Sequence, residues 1–344
     1  MKTLAAILVE VGKPLVLTEL EIPQLKPGQV LVEVAFSGVC HTQLLECRGH
    51  RGEDRFLPHC LGHEGTGNVL ETGAGVSKVK VGDRAVLSWI KGSGADVPGS
   101  VYRWQDRSVN AGAITTFSRH AVISENRLTG LPDNISMTDG AFVGCALPTG
   151  LGAVFNTARP SPGQSLAVFG AGGVGLCAIL GASIAGCAPV IAVDVRDSRL
   201  EQALKMGATC AINSGTADPV EQINKLCPSG LDFAIEASGR PAVMMQALHS
   251  VRSQGGAAVI VGNAHHGEMV ELDPKQLNQG KRLLGTWGGD SFPDRDYPRY
   301  FNLIASGRLD VSLMRSSVYP LEQINEALED LETGKSSRPV VSML

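Results

Sequence analysis

No apolar run in this 344-residue chain is long and pure enough to span a bilayer. The nearest stretch, 177–195, reads as a buried helix followed by a buried strand. No signal peptide is expected either. Met1 to Val9 is mostly apolar, but Glu10 and Lys13 cut the run short and no small-residue cleavage site follows. The alternation through Leu15-Val16-Leu17 reads better as an opening β-hairpin. There is no basic excess: 30 Lys and Arg stand against 34 Asp and Glu, for a net charge of −4. That balance argues against a nucleic-acid surface, which needs a basic stripe. Glycine is plentiful, with 41 residues, but it forms no repeat, so a fibrous protein is excluded. These absences give the expectations of no membrane partner, no nucleic-acid partner and a cytoplasmic location. In such a reducing compartment the eight cysteines (40, 47, 60, 145, 177, 187, 210 and 227) are not expected to form disulfides. Metal binding and plain burial are the better readings.

The composition that remains is 43% hydrophobic and 19% charged, as in a globular protein with a substantial core. The length suggests two domains, or one with a second inserted. Residues 1–147 read mainly as β-strands between Gly and Pro turns, such as Gln29 to Ala35 and Gly67 to Glu71. A barrel-like or Greek-key β domain is expected there. From about 148 the rhythm changes to strands at Ser165–Gly170, Pro189–Asp194, Leu231–Glu236 and Ala257–Gly262, with helical patterns between them. That alternation predicts βαβ units and a parallel sheet over 148–286. The tail, 287–344, holds a helix from Asp296, another over Pro320 to Glu332 and a strand-like Arg338 to Val341. It is too small to fold alone and is expected to rejoin the first domain. The fold class predicted is therefore α/β, a doubly wound parallel sheet inserted into a β-rich domain.

The order of the chemically active residues carries the functional reading. Cys40, the pair His63-Glu64 and Cys145 all precede a loop, Gly170-Ala171-Gly172-Gly173-Val174-Gly175, that follows a predicted strand and opens a helix. Two thiols and an imidazole can hold a zinc ion and leave its fourth position open, as catalytic zinc sites do. The glycines Gly170, Gly172 and Gly175 serve a tight turn, close approach to a pyrophosphate and helix–strand packing. Asp194 stands 19 residues beyond Gly175, at the end of the next predicted strand, where an acid would bind the adenosine ribose. Its carboxylate favours NAD over NADP, although Arg196 and Arg199 lie close by. A Lewis acid beside a hydride carrier points to an alcohol–carbonyl oxidoreductase.

Gly38-Val39-Cys40-His41-Thr42, Gly62-His63-Glu64-Gly65, Gly82-Asp83-Arg84, Gly144-Cys145 with Thr149-Gly150, and the glycine loop resemble, in that order, the motifs of medium-chain zinc-dependent alcohol dehydrogenases. The resemblance runs to the closing Gly334-Lys335-Ser336-Ser337-Arg338. It implies a GroES-like catalytic domain with an inserted Rossmann domain, and one catalytic zinc held by Cys40, His63 and Cys145. It makes Thr42 the hydroxyl that takes the substrate proton. Glu64 becomes an acid behind the metal, either exchanging onto zinc or packing there. His41 and Arg338 would contact the pyrophosphate, Thr149 and Val174 the nicotinamide, and Arg199 the adenosine ribose. Trp89 and Leu45 would shape the substrate pocket in a dry cleft between the domains, and a homodimer or homotetramer is implied. The chain departs from the family in three places. The stretch 90–112 has none of the four cysteines that hold a structural zinc, so it must be held by packing or be mobile. Gln43 stands where an aspartate commonly supports the zinc-bound histidine. Leu45 stands where some members carry a proton-relay histidine. Cys47, Cys60 and His265-His266 read as non-ligands. The competing readings are a polyol or sugar dehydrogenase, a zinc-independent quinone or enoyl reductase of the same superfamily, and a non-catalytic NAD-binding protein.

Overall fold

The computed structural model describes residues 1–315 and 317–344 and divides them into two compact units. One comprises Met1–Cys145 with Phe292–Leu344; the other is Ala146–Ser291. Among the described residues, no single helix is long and apolar enough to cross a membrane.

The first unit is built on β-structure. Lys2–Leu8 and Val16–Glu21 pair antiparallel, the N-terminal hairpin expected from the alternation. They join Val101–Trp104, Arg107–Asn110 and His59–Cys60 in a closed barrel. A second sheet runs in the order Leu128–Gly130, Arg84–Ser88, Glu64–Thr72, Gln29–Gly38, Val340–Ser342 and Val318–Pro320. His120–Ser124 also pairs with Gln29–Gly38. The strand Gln29–Gly38 is apolar on both faces and almost wholly buried. It carries three partners along its length, so it needs a near-continuous apolar run. Val30, Val32, Val34, Leu87, Phe117, Ile123 and Val341 form the main core of this unit. The stretch 90–112 is held by packing, the first of the two sequence readings: its second half is the barrel hairpin Val101–Trp104/Arg107–Asn110. Tyr102 pins it, fully buried and accepting the Val122 N–H through its hydroxyl at 2.7 Å.

The second unit is a six-stranded sheet. Its order is Cys210–Asn213, Val190–Asp194, Leu166–Phe169, Phe233–Glu236, Ala257–Ile260, Arg282–Gly285, with every pair parallel. In chain order this is 3-2-1-4-5-6, the doubly wound arrangement whose switch point lies beside the first strand. The helices Gly173–Ile184, Asp197–Lys205, Pro219–Leu226 and Pro241–Ser250 supply the crossovers. The strands Cys210–Asn213 and Arg282–Gly285 escaped the sequence reading. They sit at the two edges and are half exposed, so neither shows a clean apolar run.

Candidate active site

Three short segments of the first unit bring Cys40, His63 and Cys145 together. Cys40 is the extended residue before the helix His41–Cys47. His63 precedes the strand Glu64–Thr72 and follows Gly62, whose φ is +90°. A Cβ on Gly62 would come within 2.7 Å of the Phe117 backbone nitrogen, so only glycine lets the chain turn there. Cys145 follows the turn Phe142–Gly144. Ser88 fixes that turn by donating to the Gly144 carbonyl at 2.7 Å, and it also meets the Tyr297 hydroxyl at 2.7 Å. The two Sγ atoms and one ring nitrogen lie within 4.8 Å of one another. Tetrahedral zinc ligands stand roughly 3.8 Å apart, given metal–sulfur bonds near 2.3 Å, so the donor set fits a zinc ion. The cluster includes neither Cys47 nor Cys60 nor His265-His266. Burial pushes both the Cys47 and Cys60 thiols up to about 12, which leaves them protonated and poor ligands.

The electrostatics suit a cation. A hydrogen bond from Cys145 holds the Cys40 thiol well below its usual range, and the same bond together with burial raises Cys145. Burial pulls His63 down, but its hydrogen bond to Cys40 and the charge there leave it raised. His63 Nε2 lies 3.2 Å from Cys145 Sγ. On its other side Gln43 bonds to Nδ1. Trp89 meets the His63 ring edge-on, with centroids 6.5 Å apart. Thr42 Oγ1 stands 3.8 Å from Cys40 Sγ, next to the donor cluster. Leu45 is buried one turn further along the same helix, and His41 is exposed at its start. Glu64 is fully buried and ion-paired with Arg338, itself only 3% exposed. Burial alone would lower the Arg338 guanidinium, but Glu64 and the two thiols raise it instead. Arg338, expected at the pyrophosphate, is here also the partner of Glu64, a pairing the motifs did not announce.

In the second unit Gly170 (φ +92°) follows the strand Leu166–Phe169, and Gly173 and Val174 open the helix Gly173–Ile184. A Cβ on Gly175 would strike the Gly170 carbonyl oxygen. Around Gly172 a Cβ would meet nothing nearer than Arg199 Nη1 at 3.8 Å, so the backbone lies open for a ligand. The helix N-terminus beyond it has no side-chain cap and favours a phosphate. Asp194 ends the neighbouring strand and reaches back to this loop: it accepts the Ala171 N–H at 2.8 Å and the Arg196 N–H at 3.0 Å. Arg199 Nη1 is 3.8 Å from its carboxylate. Thr149 Oγ1 is buried without a hydrogen-bond partner, a group left for a ligand to satisfy. Cys177 and Cys187 are buried in this unit, and the half-buried Cys210 and Cys227 pack against its core.

A cavity of about 610 Å³ in the first unit reaches His63 and Gln43. Its wall carries two acid–base pairs that no motif announced: Glu46 with Arg51 at 3.5 Å and Asp54 with His59 at 2.8 Å. The one available signal was the density of charge between 46 and 59, which spacing alone does not separate from a solvated loop.

Together the barrel unit, the 3-2-1-4-5-6 sheet and the Cys–His–Cys cluster define a zinc-binding dehydrogenase. Known proteins agree. The family "Alcohol dehydrogenase GroES-like domain" matches residues 26–133, and "Zinc-binding dehydrogenase" matches 173–306. S-(hydroxymethyl)glutathione dehydrogenases of Synechocystis sp. and Photobacterium damsela subsp. piscicida are each 33% identical, over 99% of this chain and 100% of their own length. The benzyl alcohol dehydrogenase of Acinetobacter calcoaceticus superposes with a TM-score of 0.91 at 30% identity, covering 100% of both chains. An alcohol dehydrogenase zinc-binding domain protein from Burkholderia ambifaria gives 0.92 at 31%, covering 100% of this chain and 99% of its own. The chain belongs to the medium-chain zinc-dependent alcohol dehydrogenase family.

Proposed function

We propose that this protein is a zinc-dependent, NAD-linked alcohol dehydrogenase that interconverts an alcohol and its aldehyde or ketone. The convergence of Cys40, His63 and Cys145 donor atoms within 4.8 Å carries the reading. Zinc, when bound by these three, supplies a Lewis acid that acidifies an alcohol. NAD, when bound, supplies the hydride acceptor. The residues do the rest. Thr42 lies beside the donor cluster and takes the alcohol proton through Oγ1. Trp89, edge-on to His63, bounds the space for the substrate chain. Gly170, Gly172, Gly173 and Gly175 seat the pyrophosphate on the helix N-terminus, and the buried Thr149 hydroxyl serves the nicotinamide end. Asp194 accepts from the ribose hydroxyls and repels a 2′-phosphate.

The test is NAD reduction by zinc-loaded protein across primary, secondary, aromatic and polyol alcohols, with NADP in parallel. The expected result is turnover with NAD, at least about tenfold more efficient than with NADP. Substitution Thr42→Val is expected to lower kcat by about 100-fold or more while zinc content stays at one per chain. Full turnover by Cys145→Ala, or by protein stripped of zinc, would sink the reading.

A further inference from the structure

We infer that Gln43 holds His63 in the tautomer whose Nε2 offers no lone pair to a metal at the cluster, and so sets a low zinc affinity for the Cys40–His63–Cys145 site. The inference rests on the zinc reading above. Gln43 is 1% exposed, and its single amide has two jobs. Its Oε1 accepts the Cys40 backbone N–H at 2.8 Å, closing the capping box of the helix His41–Cys47. What remains is the NH₂, and it faces His63 Nδ1. An amide NH₂ only donates, so Nδ1 must accept. The ring hydrogen then sits on Nε2, the nitrogen 3.2 Å from Cys145 Sγ. A metal at the cluster needs the Nε2 lone pair, which moves the hydrogen to Nδ1. That hydrogen would point at an NH₂. Turning the amide over offers it the oxygen but sets the NH₂ against the Cys40 N–H. One oxygen thus serves two donors, on the residue that is itself a ligand and on the ring of another. A carboxylate in the same place would accept from both.

Gln43→Glu is the direct test. It keeps the length and the capping box, so the helix is expected to form as before. Zinc affinity is read by competition with the chromophoric chelator 4-(2-pyridylazo)resorcinol. The variant is expected to bind zinc about 10–100-fold more tightly than the natural chain. The metal-free proteins are then compared by ¹⁵N-histidine NMR at alkaline pH, where the ring is neutral and has a defined tautomer. The His63 hydrogen is expected on Nε2 in the natural chain and on Nδ1 in Gln43→Glu. Equal zinc affinity of the two proteins overturns the inference. So does an Nδ1–H ring in the natural metal-free chain, or a gain in affinity with no change of tautomer, which charge alone would give. Failure of both proteins to bind zinc at all would instead remove the metal reading, and the NMR comparison still decides the tautomer.

Discussion

At the residue scale, the Glu64–Arg338 pair is where the sequence said least about what the structure shows. Both residues were legible as site residues from their motifs, but not as partners, because 274 positions separate them. The strand Val340–Ser342, paired with Gly38, Ser37 and Phe36, and the Val39 N–H bond to the Pro339 carbonyl at 3.0 Å carry Arg338 back to the cluster. A buried ion pair adds little over a well-packed apolar pair, yet losing one partner leaves a charge without compensation. Arg338→Met is therefore expected to cost about 3–5 kcal/mol in urea unfolding at pH 7. With the guanidinium gone, burial favours the protonated Glu64 carboxyl, so the deficit is expected to shrink as the pH falls. The double variant Arg338→Met/Glu64→Gln is expected to lose less than Arg338→Met alone. Equal losses at pH 5 and pH 8 would show that the cost is packing and not charge.

At the scale of elements, the stretch 90–112 was the hardest to read. Gly92-Ser93-Gly94-Ala95-Asp96 looks like a free loop, and Val101–Trp104 exposes alternate residues. Its anchor is a distant carboxylate. Glu125, 2% exposed, accepts the backbone N–H groups of Ser77 at 2.6 Å, Lys78 at 2.7 Å and Ala95 at 2.9 Å. Ser124 adds bonds to Ala95 and Val97. Burial raises the Glu125 carboxyl, but these donors outweigh it and leave it lowered. A carboxyl lowered by folding stabilises above its unfolded value of about 4.3, and that contribution is lost as pH falls through the lower folded value. Glu125→Gln turns an NH₂ toward backbone donors and is expected to cost about 2–3 kcal/mol at pH 7. The gap to the natural chain is expected to narrow below about pH 4, and the amides of Ser77, Lys78 and Ala95 to exchange faster in the variant. Unchanged exchange at Ala95 would mean that packing of Tyr102 alone holds the segment.

At the scale of the whole molecule, the chain is not two beads in sequence. The unit Ala146–Ser291 is continuous, whereas its companion is assembled from Met1–Cys145 and Phe292–Leu344. The continuous unit was legible because its four inner strands and the helices between them announce themselves by their own period, and the glycine loop marks its start; only the two half-exposed edge strands stayed hidden. The returning tail was legible only by elimination, since nothing in its sequence names its partners. In the structure those partners are many. Tyr319, Leu321, Ile324, Leu328, Val341 and Met343 share one core with Val30, Val34 and Phe117. Asn325 bonds to both the N–H and the C=O of Leu15, at 2.8 and 2.9 Å. Tyr297 bonds to Ser88, and Lys78 pairs with Asp294 at 2.6 Å. The two pieces are therefore expected to behave differently when cut. A fragment of residues 146–291 keeps its six strands and its own core, and is expected to unfold cooperatively and still bind NADH, read by fluorescence titration. A fragment of residues 1–145 loses two strands of its sheet and one side of its core, and is expected to be molten or insoluble. Adding residues 292–344 through a short glycine–serine linker is expected to restore a cooperative transition. It should also restore zinc binding at Cys40, His63 and Cys145, because those ligands and the Glu64–Arg338 pair all lie within this unit. A folded, zinc-binding 1–145 fragment would show that the tail merely decorates the barrel.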